Sequence, residues 1–260
     1  DEILRLDPEF PVEIQSYNHH VVPVWKLITD ASVNSSGTRD DSGYSGGLEM
    51  VSPILNGKEG FDQLKLVLEA INNVGGKVDR SCGLHVHHDA RELSPGQLVR
   101  LLEFYMENQK TIDHLIAPSR RSGASGNGYC GPWTDMEKRR VMEQARNGHD
   151  LSGFPRYRTV NVLAYARYGS IEFRQHQGTL NYEKVSQWVR FGQALVESSM
   201  TTYEAPVQTF EPDDVLSMLE WLVANGGMPK TTADSLNNKA EGYNARTASR
   251  RERQTASARW

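Results

Sequence analysis

The apolar positions of this chain change period several times, and each change marks an element. Over residues 61–74, Phe61, Leu64, Leu68 and Ile71 recur at three- and four-residue spacing. That predicts a helix with one buried stripe, stopped by Gly75 and Gly76. Leu98, Leu101, Leu102, Tyr105, Ile112 and Leu115 predict one long helix, opened by Ser94 as N-cap and Pro95 at the first helical position. Residues 134–147 are polar and helix-prone. Val185, Trp188, Val189, Gly192 and Leu195 predict a helix over 182–203, and a last one is expected over 212–224. Between these the period shortens. Residues 25–30, 48–52, 82–87, 159–163 and 170–174 read as strands, Pro53 ending the second. The last two, separated near Tyr168-Gly169, read as a hairpin.

The remaining segments carry little pattern. Residues up to Pro23 are weakly periodic. Residues 34–47 and 122–131 are rich in glycine and serine and are expected to be mobile or ligand-ordered loops. After Pro229 the apolar pattern thins, and 247–259 is expected to be disordered or helical only against a partner. The organisation read from this is a domain over 1–229 and a basic, flexible C-terminal tail over 230–260. There is no internal repeat.

Composition narrows the class. With 260 residues, 38% hydrophobic and 24% charged, the chain is ordinary globular material. No apolar run approaches the roughly 18 residues that span a bilayer, and the N-terminus lacks the basic-then-apolar layout of a secretory signal. Cys82 and Cys130 are the only cysteines, so no disulfide framework is expected and a reduced, cytoplasmic setting fits. The formal charge of −4 is uneven: from Lys230 onward seven Lys and Arg residues face three Asp and Glu. An acidic body with a basic tail does not fit a dedicated nucleic-acid binder. The tail is left as plain disorder or as a contact for a protein partner.

The candidate chemistry lies on the strands. Residues i and i+2 of a strand share a face, so His85 and His87 point one way together, as do Glu172 and Arg174; Glu49 sits on a strand of similar character. Ionisable groups aimed at one sheet face need partners if buried. A concave site that takes a cation and an anion would satisfy them. Carboxylates with a histidine suit Mg2+ or Mn2+. Zinc at His85-Val86-His87-His88 would need third and fourth ligands that no typical spacing supplies. Arg174 can fork onto a carboxylate or phosphate. The plainer alternatives are a solvated histidine pair and a surface Glu–Arg pair of little energetic weight. Cys82 reads as a packed small residue, and His19, His20 and His149 as solvated. A metal-dependent hydrolase would need a general base that the sequence does not mark.

Five segments together resemble the amidoligase family, part of the glutamine synthetase-like carboxylate–amine ligase superfamily. They are Trp25-Lys26 with Asp30 and Ser32, Gly47-x-Glu49 with Ser52-Pro53, Ser81-Cys82-Gly83-Leu84-His85-Val86-His87, Arg158 with Asn161, and Ser170-Ile171-Glu172-Phe173-Arg174-Gln175-His176 with Gly178-Thr179. The resemblance implies an α+β fold with a glutamine synthetase-like curved antiparallel sheet backed by helices. It implies an ATP-dependent ligase that joins a small-molecule or peptide carboxylate to an amine through an acyl phosphate, with ATP and Mg2+ (or Mn2+) as cofactors. By position, His85 and Glu172 would share a metal and Glu49 would bind another. His87 and Arg158 would face the ATP phosphates, with Asn161 beside them, and Arg174 would hold the carboxylate or the transferring phosphoryl group. Asp30, Ser32 and Ser52 match the family without an assigned role. One departure stands out: family members carry a Glu-x-Glu strand upstream of the stretch matched by Tyr17-Asn18-His19, and here the segment Pro11-Val12-Glu13-Ile14 before it offers a single glutamate. The chain is expected either to be a fragment lacking that strand or to have lost those ligands. The alternative to an enzyme is therefore a non-catalytic descendant that serves as a binding or structural module.

Overall fold

The computed structural model describes residues 1–34, 46–124 and 128–257. The chain is α+β and divides into two compact units, Asp1–Gly83 with Gly178–Ser186, and Leu84–Gln177 with Gln187–Trp260.

In the first unit, α1 (Glu2–Leu6) and β1 (Val12–Ile14) occupy the stretch that carries no readable period, because elements this short complete no repeat. β1 runs parallel to β2 (Trp25–Asn34), which pairs antiparallel with β3 (Gly46–Val51). The helix predicted from Phe61 to Ile71 is α2 (Gly57–Asn73). Its Val67 and Ala70 close a small core with Ile3, Phe10 and Trp25, and Met50 packs against it. The Trp25 indole N–H donates to Gln63 Oε1 at 3.0 Å. Lys26 is buried. Its ammonium donates to Asn18 Oδ1 at 2.7 Å, His20 O at 2.8 Å and Asn18 O at 3.3 Å. Three acceptors match the three N–H donors of a lysine, so the Tyr17-Asn18-His19-His20 stretch is fastened to β2 by a charge that has no need of a carboxylate.

The second unit holds a sheet of order β4-β6-β5, with β4 (Gly83–Asp89), β6 (Ser170–Gln177) and β5 (Val160–Asn161). β6 is the central strand, and all its residues but Gln177 are buried. Helices α3 (Pro95–Glu107), α4 (Gln109–Asp113), α5 (Asp135–Arg146), the later part of α7 (Tyr182–Thr201), α8 (Val215–Gly226) and α9 (Lys230–Ser257) supply the rest of the core. Ser94 caps α3 as expected: its hydroxyl accepts from Gln97 N while Gln97 Oε1 accepts from Ser94 N. Thr134 and Glu137 do the same for α5.

Three expectations need correction here. The single long helix from Pro95 to Leu115 is broken at Asn108. Its buried amide donates to Phe104 O and Gln208 O and accepts from Phe210 N, each at 2.9 Å. A side chain that competes for backbone groups in this way ends one helix and starts another. The predicted hairpin is not joined by a turn: α6 (Leu163–Tyr168) lies between β5 and β6, ended by Gly169 in the left-handed conformation at φ 68°. The boundary at 229 also fails. Residues 230–257 form α9, and Ala233, Leu236 and Ala240 are buried in the main core. The expected mobile loop over 34–47 falls largely on residues 35–45, which lie outside the described residues, as do 125–127 of the loop over 122–131; in the rest of that loop Cys130 is buried and Gly131 is bridged to Arg158.

One contact sets how closely α7 approaches the sheet. A Cβ at Gly192 would lie 2.4 Å from His88 Nε2 and 3.1 Å from Phe173 Cδ2. Only glycine allows this closeness, and it places α7 directly behind the strands that carry the polar site. Among the described residues no helix is long and apolar enough to cross a membrane.

Candidate active site

β6 positions the site through its pleat. Ser170, Glu172 and Arg174 share one face, while Ile171 and Phe173 enter the core. On β5, Asn161 stands opposite Glu172 and Val160 opposite Phe173. On the other side of β6, β4 brings His85 and His87 to Glu172.

Glu172 is the hub. Its Oε1 accepts from Arg174 Nη1, and its Oε2 accepts from Asn161 Nδ2 at 2.5 Å. His85 Nδ1 is 3.6 Å and His87 Nε2 3.7 Å from Oε1, too far for hydrogen bonds. His87 Nδ1 is fixed by Ser170 Oγ at 2.9 Å. Arg174 Nε donates to Tyr129 O at 3.3 Å, and Arg120 Nη2 donates to Arg174 O at 3.0 Å. Glu172 and Arg174 are 5% and 2% exposed, whereas the His85 and His87 side chains keep 28% and 45%. The site thus has a buried ionic floor and two imidazoles that reach solvent.

Its electrostatics favour anions. Burial pushes the Glu172 carboxyl up, but Arg174, the two histidines and Asn161 together outweigh it, and the carboxyl lies below its ordinary value. Burial pushes His85 down to about 3, with Arg174 adding to the effect and Glu172 opposing it. The remaining solvent contact of His85 tempers that shift. Burial also lowers His87, against the pull of Glu172. Both imidazoles are therefore neutral at pH 7, and Arg174 is the partner that keeps Glu172 ionised. Arg174 and Arg120 act on His85, and Arg174 and Arg156 on His87. Arg174, Arg120 and Arg156 thus bring positive charge to the imidazole side of the site, which suits a phosphate or a carboxylate ligand.

The other expected residues have contacts of their own. Arg158 forks onto Glu137 of α5, Nη2 to Oε1 at 2.5 Å and Nε to Oε2 at 3.1 Å, and that pairing holds the Glu137 carboxyl down to about 2. Glu49 belongs to the first unit, on β3 opposite Ile28. Asp30, on β2, accepts from the Ser32 N–H at 2.8 Å and its hydroxyl at 2.7 Å. Ser52 is exposed just after β3.

Residues 7–196 match the profile of the family described as "Putative amidoligase enzyme". The chain belongs to this family. No curated protein and no solved structure is detectably similar to it. Within the amidoligase family match lie all four charged or titratable groups of the hub, His85, His87, Glu172 and Arg174. The metal implied by the resemblance is another matter. Among the described residues, no three His, Cys, Asp or Glu side chains are arranged to hold a metal ion. The donor types suit a divalent cation, but both oxygens of Glu172 are spent on Arg174 and Asn161. This arrangement does not fit a ready-made cation site.

The sequence reading of this amidoligase also passed over three residues beside the hub. Arg120 reaches the Arg174 carbonyl, and Arg156 and Tyr157 flank Arg174, the Arg174 guanidinium lying 5.8 Å from the centre of the Tyr157 ring. The run Arg156-Tyr157-Arg158, a tyrosine between two cations in an otherwise patternless stretch, was the available signal.

His88, on the opposite face of β4 from His85 and His87, gives a test of the packing beneath the site. Burial pushes it down to about 4, partly opposed by its contact with Gln193 at 3.1 Å. An unfolded histidine takes up a proton near pH 6.5, which the folded one refuses, so stability falls as pH drops below 6.5 towards the folded value. From pH 7 to 5 this group should remove about 2 kcal/mol of unfolding free energy. Urea unfolding at both pH values should show that loss, and His88→Phe should flatten the slope whatever its absolute stability. An equal slope in the variant would show that His88 is not buried neutral.

Proposed function

We propose that this chain is an ATP-dependent carboxylate–amine ligase working through an acyl phosphate. The observation that carries the reading is the buried Glu172–Arg174 ion pair, with His85 and His87 beside it, inside the amidoligase family match. A carboxylate oxygen of the first substrate attacks the γ-phosphorus, and ADP leaves. The amine lone pair then attacks the acyl carbon. Phosphate departs with one former carboxylate oxygen, and the amine gives up a proton as the amide forms. Arg174, fixed in plane by Glu172 and the Tyr129 carbonyl, orients the anionic partner and offsets the charge that builds on it. Glu172, held by Asn161, positions Arg174. His87, neutral and set by Ser170, is the proton acceptor nearest to solvent. ATP would enter as its magnesium or manganese complex, and no step is assigned to that ion.

A second reading, a non-catalytic binding module, is favoured by the absence among the described residues of a three-ligand metal cluster. ADP release separates the two. With Mg2+ and ATP, a screen of amino acids and peptides as carboxylates, with ammonia or primary amines, should find pairs that raise ADP release well above ATP alone. Nucleotide that binds without any substrate-dependent turnover would support the binding module instead.

A further inference from the structure

The mouth of the site is aromatic as well as cationic. Tyr129 and Tyr157 meet edge to face, their ring centres 5.4 Å apart and their planes at 90°. Both stay well exposed, at 50% and 41%. In such a pair each ring keeps at least one face outside the contact. The Arg156 guanidinium lies 5.3 Å from the centre of the Tyr157 ring, and that of Arg174 5.8 Å. The same Arg174 takes the Tyr129 carbonyl on Nε and Glu172 on Nη1, and Arg156 is close enough to His87 to depress its protonation. The tyrosine pair is therefore continuous with the anion-binding floor.

Two half-exposed tyrosines with a guanidinium plane beside them are the groups on which nucleobases stack, because every base offers a π-face and Arg adds a cation–π contribution. Neither ring is covered by the core, so each has surface to offer a ligand. We propose that Tyr129, Tyr157 and Arg156 form the subsite for the base of the nucleotide, with its phosphates directed to Arg174. This rests on the nucleotide reading above and goes beyond it by assigning where the base sits. Tyr129 is the cleanest probe, because its link to Arg174 runs through its backbone carbonyl and survives side-chain replacement.

The test is calorimetric binding of ATP and of inorganic tripolyphosphate, both with Mg2+, to the wild-type chain, Tyr129→Ala and Tyr129→Phe. Wild type should bind ATP at least about tenfold tighter than tripolyphosphate, the advantage that stacking one base supplies. Tyr129→Ala should lose most of that advantage with tripolyphosphate unchanged, and Tyr129→Phe should restore it. Equal ATP and tripolyphosphate affinity in wild type, or equal weakening of both in Tyr129→Ala, would overturn the subsite while leaving the phosphate site standing. Binding of neither ligand by wild type would remove the nucleotide reading itself, and the subsite with it.

Discussion

Arg174→Met should lower the unfolding free energy by about 3–5 kcal/mol, the range for stripping one partner from a buried ion pair. The reason is what remains. Glu172 is 5% exposed, and without Arg174 its Oε1 faces only two neutral imidazoles, beyond hydrogen-bond reach at 3.6 and 3.7 Å. A buried carboxylate in that setting must either take a proton or pay for its lost solvation. The double variant Arg174→Met/Glu172→Leu removes the stranded charge and should recover most of the loss, since a buried pair replaced by apolar groups is often nearly neutral. Urea denaturation of the three variants reads this directly. A loss below about 1 kcal/mol for the single variant would place the pair in solvent, in the range of surface salt bridges.

Arg174→Lys should separate chemistry from stability. The ammonium still neutralises Glu172, so the fold should lose little compared with the methionine variant. It cannot, however, hold Glu172, the Tyr129 carbonyl and an anionic ligand in one plane. A donor misplaced at a developing charge costs about a hundredfold or more in turnover. Substrate-dependent ADP release should fall by that order with unfolding nearly unchanged. Near-normal turnover in the lysine variant would mean that Arg174 serves only to neutralise Glu172.

The hub was legible in the sequence because a strand's two-residue period is rigid. Once His85-Val86-His87 and Glu172-Phe173-Arg174 were read as strands, their pairwise facing followed, and β6 does bring Glu172 within 4 Å of both histidines. Asn161 was matched to the family without a firm role; its cross-strand position opposite Glu172 supplies one. The partner of Arg158 was not legible, because Glu137 lies on a helix 21 residues away in sequence and nothing local announces the pairing.

In the fold, the misreadings share a cause: side chains overrode local pattern. Asn108 looks like an ordinary polar position on a long helix, and only its tertiary bonds to 208–210 make it a break. Residues 163–168 were short enough to pass for a turn. In α9, Ala233, Leu236 and Ala240 are spaced by three and four, a narrow stripe built largely of alanine that contributes little to an apolar count yet packs in the core. Lys239 anchors the same helix by donating to His176 Nε2 at 3.0 Å. The basic character of this segment was read correctly from its composition, but a basic composition does not by itself make a segment a free tail.

The central claim is that an acyl phosphate forms and is captured by an amine. Hydroxylamine tests it without knowledge of the natural amine, because it attacks acyl phosphates to give hydroxamates. The chain is incubated with Mg2+, ATP, hydroxylamine and a panel of amino acids and peptides, and hydroxamate and ADP are measured together. The account predicts that at least one carboxylate yields hydroxamate in a one-to-one ratio with ADP, and that Arg174→Lys lowers both in parallel. ADP released without hydroxamate for every carboxylate, or at a rate no carboxylate changes, would contradict it.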